Sequence, residues 1–136
     1  MASPIGPSNT PFDNLGHDGA LALATRFYDH MDANEPELVA VHRTDAQGRV
    51  AREVRDRFGA FLVEWLGGPQ IYSSVHGHPR LRMRHGHVPI ESTLRDAWLR
   101  CMKAALDHPT VHPDVRDYLG RRFAEVADFL RNKPDR

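Results

Sequence analysis

Residues 50–69 read VAREVRDRFGAFLVEWLGGP, and the spacing within this stretch decides the fold. Val50, Val54, Phe58, Phe61, Leu62 and Trp65 recur every three or four positions, which gathers them on one face of an α-helix running from Val50 to Leu66. A strand would need apolar and polar residues to alternate, and no part of the chain does so convincingly. Gly67, Gly68 and Pro69 then stop the helix, because glycine takes up the left-handed backbone that closes a last turn and proline cannot extend it.

The same periodicity extends in both directions. Upstream, Gly19–Asp32 carries Ala20, Ala24, Phe27, Tyr28 and Met31 on one stripe. A short turn follows, with Asn34 as cap and Pro36 in its first turn, ending near His42; residues 44–49 (TDAQGR) form a polar loop. Downstream, Thr93–Leu106 turns Leu94, Ala97, Trp98, Cys101, Met102 and Ala105 inward. A last helix starts at Pro113 and carries Val115, Leu119, Phe123, Val126, Ala127 and Leu130 before Asn132 and Pro134 end it. The expectation is an all-α chain of five or six helices. One domain spans residues 19–132, between a mobile leader at 1–18, rich in proline and glycine, and a tail at 133–136.

Composition narrows the function classes. Among 136 residues, 18 basic and 18 acidic side chains cancel, which argues against general affinity for nucleic acid or membrane surfaces. No apolar run approaches the ~20 residues of a membrane span, and the N-terminus has neither the charged start nor the apolar stretch of a signal peptide. The single cysteine, Cys101, forbids an internal disulfide and agrees with a reducing cytoplasm, where the protein is expected. A monomer or weak homodimer is expected.

Nine histidines are many for this length, and His76, His78, His85 and His87 lie in or beside an irregular stretch from Gln70 to Met83. The whole connection, from Gly67 to Pro89, is long for a small bundle; loops of this length are commonly functional or ordered by a ligand. Several readings of the four histidines stay open on the residues alone. They are solvated loop residues, or a zinc or copper site of two His-x-His pairs, or part of a haem pocket. The haem reading accounts for more of the neighbours. One neutral imidazole below an iron, apolar walls and cations for two propionates are its needs. His85 meets the first, Arg82 and Arg84 the last, and Leu81, Met83, Val88 and Ile90 supply part of the wall.

Three stretches extend the case: residues 65–72 (WLGGPQIY), residues 77–85 (GHPRLRMRH) and residues 95–102 (RDAWLRCM), with Phe27-Tyr28 upstream and Trp98 thirteen residues after His85. This pattern resembles the group II truncated haemoglobins, over roughly Ala20 to Asp107. The resemblance implies a two-over-two helical sandwich around haem b, with the helix Val50–Leu66 over the distal face. It makes His85 the proximal iron ligand, Tyr28 the distal tyrosine, and Trp98 the tryptophan that donates its indole N–H toward a bound ligand. His42 matches a further distal position, and Arg57, Tyr72 and Arg84 match positions that hold the propionates. Phe27, Phe61 and Leu94 join the haem wall. Two positions depart from the family pattern: Val54 stands where alanine, serine or threonine is frequent and donates nothing, and Phe58 is bulkier than the expected leucine.

Two hydrogen bonds to a ligand that draws electron density from the iron, each ~1.5–3 kcal/mol, would slow its release ~100-fold or more. The expectation is therefore reversible binding of dioxygen, NO, CO, cyanide or peroxide at a pentacoordinate iron, for scavenging, sensing or redox chemistry rather than bulk transport. A peroxidase-like or NO-consuming enzyme, fed by an external reductase, is the second hypothesis. A histidine-rich metal-binding module without haem is the third.

Overall fold

The structure, a computed structural model, describes residues 10–77 and 92–130. Within them lie six helices: α1 (Pro11–Asn34), α2 (Pro36–Val39), α3 (Arg52–Trp65), α4 (Ile71–His76), α5 (Ser92–Leu106) and α6 (Pro113–Leu130). The one β-type contact among the described residues is an isolated bridge between Thr44 and Val50. The fold is all-α. No helix among the described residues is long and apolar enough to cross a membrane.

The long helices pack as two pairs, α1 with α3 and α5 with α6, and α1 also lies across α5. This is a two-over-two layout. Phe27 and Met31 of α1, Leu62 of α3, Met102 of α5, and Val115 and Leu119 of α6, all marked by the periodicity, are almost completely buried, and so are Leu23, Val63 and Leu106, which the stripes left out. Each large apolar side chain removed from water stabilises the fold by ~1.5–3 kcal/mol.

Asn34, expected as the cap of the short second helix, is the last residue of α1, Glu35 caps α2, and α2 ends at Val39 rather than near His42. Two helix starts also differ from the expectation, for identifiable reasons. Helix α1 begins at Pro11, so residues 11–18, read as part of a mobile leader, are helical. Gly16, at φ 72° and ψ 177°, breaks this helix, which is why apolar spacing alone places its start at Gly19. The first turn is anchored by contacts distant in sequence: the Phe12 N–H donates to the Leu66 carbonyl at 3.0 Å, and Phe12 packs on the core. Helix α3 starts at Arg52 rather than Val50; Val50 is buried, and its N–H donates to Asp32 Oδ1 at 3.0 Å.

The C-terminus of α3 stops as read. Gly67 stands at φ 109°, its N–H bonds the Glu64 carbonyl at 3.0 Å, and the Gly68 N–H bonds the Val63 carbonyl at 2.9 Å. This pair of bonds is a Schellman closure. Both glycines also serve packing, since a Cβ at Gly67 would sit 2.6 Å from Thr10 and one at Gly68 would sit 2.6 Å from Phe12. Beyond the stop, part of the stretch expected to be irregular forms α4. Its first turn is capped by Glu64 of α3, which accepts from the Ser73 N–H at 2.8 Å and from the Ser73 hydroxyl at 2.6 Å.

Candidate functional site

Helix α1 carries Phe27 and Tyr28 into the interior, where both are buried. Around them the crossing helices gather an aromatic cluster. Phe27 meets the Tyr28 ring at 4.9 Å between centroids, Phe58 of α3 at 5.1 Å and Trp98 of α5 at 5.2 Å. Tyr28 packs edge-on against Phe58 at 5.6 Å and His42 at 6.0 Å. Residues far apart in the chain, placed together by the resemblance alone, therefore share one site. Phe61 extends the wall to Tyr72 on α4 at 5.8 Å, and Val54, Phe58, Phe61, Leu94 and Trp98 are apolar yet only partly buried.

The polar groups in this cluster are few and defined. Burial pushes the Tyr28 phenol well above its ordinary ionisation range, so it stays an O–H donor at any working pH. Trp98 offers an indole N–H, a donor with no acceptor function. His42 Nδ1 donates to the Leu38 carbonyl at 2.7 Å, which leaves Nε2 as the acceptor of the neutral ring. Val54 brings bulk and no hydrogen bond.

Arg57 of α3 is exposed and has no ion pair among the described residues. Tyr72 is buried in α4 against Phe61. The remaining expected residues, His85 with Leu81, Arg82, Met83, Arg84, Val88 and Ile90, and also His78 and His87, lie outside the described residues. His76 belongs to α4 by its backbone.

Sequence reasoning passed over Arg55. Its guanidinium lies 5.5 Å from the centroid of the Tyr28 ring, bonds Asp29 at 3.0 Å, pairs with Asp32, and donates from Nε to the Val50 carbonyl at 3.0 Å. A lone arginine on an amphipathic helix reads as a solvated residue, and nothing in its spacing marks the tyrosine beneath it. Phe123 of α6 was read only as core; it backs Trp98 at 5.6 Å and stacks on Trp65 at 4.7 Å.

The site tests well for a flat apolar macrocycle with polar business on one face. It has half-buried aromatic and aliphatic walls and two donors among them, and the exposed Arg57 on α3 has no ion pair among the described residues. A two-over-two helical layout with such a pocket defines a truncated globin.

The comparisons with known proteins agree. The model of the bacterial-like globin family matches residues 10–132. The group 2 truncated hemoglobin YjbI of Bacillus subtilis is 35% identical over 127 residues, covering 93% of this chain and 92% of that protein. Among solved structures, the cold-adapted truncated hemoglobin of the Antarctic marine bacterium Pseudoalteromonas haloplanktis TAC125 superposes with a TM-score of 0.84 at 38% identity, over 92% of this chain and 99% of that one. The truncated oxygen-avid haemoglobin from Bacillus subtilis gives 0.80 at 35% identity, over 91% and 100%. The chain belongs to the bacterial-like globin family, among its group II truncated haemoglobins. Its cofactor is haem b, and its general activity is haem-based ligand binding.

Proposed function

We propose that this protein binds dioxygen and other diatomic ligands reversibly at a pentacoordinate haem iron and releases them slowly. It then serves scavenging, sensing or redox chemistry rather than bulk transport. The observation that carries this reading is the convergence of Tyr28 and Trp98, from two different helices, on the same buried phenylalanine. When bound, the haem would supply an iron centre for diatomic ligands.

The chain's own residues do the rest. His85 would hold the iron, and Arg57, Arg82, Arg84 and Tyr72 would hold the propionates. Leu81, Met83, Val88, Ile90, Phe27, Phe61 and Leu94 form the walls. The buried Tyr28 hydroxyl and the Trp98 N–H donate to the ligand, preorganised by ring packing so that little reorients on binding. Phe27 and Phe58 exclude water from the donors, and the low local dielectric strengthens each hydrogen bond. A relative that is oxygen-avid supports the slow-release reading.

A second reading is favoured by His42. With Nδ1 donating to the Leu38 carbonyl, Nε2 of the neutral ring is the nitrogen with the basic lone pair, and the ring packs edge-on against Tyr28. Such a base suits a peroxidase-like turnover with an external electron donor. The test of the main reading is the visible spectrum of the purified protein with and without oxygen, followed by stopped-flow oxygen release in wild type, Tyr28→Phe and Trp98→Phe. A protein without a haem spectrum, or release unchanged in both variants, refutes it.

A further inference from the structure

Away from the haem pocket, the end of α1 and the start of α2 meet α5. There His30, Glu35 and Cys101 come together, with one ligand-type atom from each within 4.8 Å of the others. We propose that His30, Glu35 and Cys101 form a binding site for a borderline-soft divalent cation, with zinc(II) as the best match.

The donor set carries the choice of metal. Imidazole nitrogen, carboxylate oxygen and thiolate sulfur together are a zinc combination, whereas magnesium and calcium take oxygen ligands and avoid sulfur. Three protein ligands leave a fourth, tetrahedral position for water. Bonds of ~2.0–2.3 Å put the ligand atoms of such a site roughly 3.5 Å apart. The observed separation of at most 4.8 Å is within about 1.3 Å of that spacing.

Burial is graded in the way an entry path requires. The Cys101 side chain lies on the floor, fully buried, while His30 and Glu35 stand half-buried at the mouth. A buried cysteine alone is ordinary core packing. A buried thiol on α5 beside a histidine of α1 and a carboxylate at the α1–α2 junction is more than packing requires.

One outer partner already orients a ligand. Arg100 donates from Nε to Glu35 Oε2 at 2.7 Å and from its terminal nitrogen to Oε1 at 2.8 Å, fixing the carboxylate while each oxygen keeps a lone pair. Asn34 Nδ2 donates to the His30 carbonyl at 3.0 Å and lies 3.3 Å from His30 Nδ1, where it restrains the ring but is not the acceptor that a metal-bound imidazole's second N–H needs. The Arg100 contact is of the kind that holds a ligating carboxylate in place. On binding, the Cys101 thiol gives its proton to buffer, and the thiolate and the Glu35 carboxylate supply two negative charges against the ion and the Arg100 guanidinium, leaving one net positive charge; no electron is transferred. The bound ion ties α1 to α5, the helices that carry Tyr28 and Trp98.

The single cysteine makes the test specific. Haem-loaded protein is titrated with cadmium(II), whose thiolate bond gives an ultraviolet charge-transfer band, and the band is then competed with zinc(II). We expect one cadmium per chain, displacement by zinc, and no band in Cys101→Ser. In His30→Ala and Glu35→Gln, affinity should fall by more than the ~10–100-fold that loss of an outer partner costs, with the visible haem spectrum and helicity unchanged. Should Cys101→Ser fail to fold, those two variants at the half-buried mouth carry the test. No charge-transfer band at millimolar cadmium, or equal affinity in wild type, His30→Ala and Glu35→Gln, overturns the proposal.

Discussion

Replacing Tyr28 by phenylalanine removes one hydroxyl and leaves the aromatic cluster standing. The ring contacts that hold residue 28 are made by carbon: Phe27 at 4.9 Å, Phe58 at 5.6 Å and the Arg55 guanidinium over the ring face at 5.5 Å. Phenylalanine keeps these, so the variant isolates the donor. A hydrogen bond to a charged partner contributes ~1.5–3 kcal/mol, which at ~1.4 kcal/mol per decade makes oxygen release ~10- to 150-fold faster in Tyr28→Phe. Stopped-flow mixing of the oxygenated protein with a reductant and carbon monoxide reads that rate directly. Because burial raises the phenol's ionisation above its ordinary value of ~10, wild-type release should also stay slow and flat with pH up to that point. The same shift has a consequence for stability. Above pH ~10 the unfolded chain has lost the Tyr28 proton while the folded chain keeps it, so stability falls as pH rises there, and Tyr28→Phe lacks that component. Release in Tyr28→Phe within threefold of wild type would remove tyrosine from the donor role and leave Trp98 and His42 to account for retention.

Four further outcomes are expected. His85→Ala should abolish stable haem ligation, with rescue by free imidazole; a normal spectrum without imidazole would disprove the proximal role. Arg57→Glu and Arg84→Glu should speed haem transfer to an acceptor globin while changing oxygen affinity little, and unchanged haem loss in both would count against the propionate assignment. Gly68→Ala places a Cβ 2.7 Å from the Val63 carbonyl oxygen as well as against Phe12, and should cost about 1–3 kcal/mol in denaturant unfolding. His42→Leu should slow the reaction of the ferric protein with hydrogen peroxide and flatten its pH dependence; equal, flat rates in both proteins would leave the peroxidase reading without a base.

The helices were legible because a helix states its own buried face. The stripe through Val54, Phe58, Leu62 and Trp65 needs only local geometry to be read, and the observed α5 and α6 start within a residue of the positions their apolar spacing and proline mark. Helix α4 escaped because its cap is a glutamate on another helix, and the first turn of α1 escaped because Leu66, Gly67 and Gly68 hold it in place.

The site divides along the same line. Residue types and spacing alone left the histidines of the 67–89 connection open among loop, metal and haem readings, and only the resemblance joined Tyr28, His42 and Trp98. Their meeting depends on how α1 crosses α3 and α5, which is the sum of many packing contacts and is written in no single segment. Arg55 over Tyr28, and Cys101 beside His30 and Glu35, follow from those crossings too. Periodicity is a property of neighbours along the chain, so the sequence by itself determined which faces are buried. Which residues then share a pocket is a property of helix crossings, and only the tertiary structure decided it.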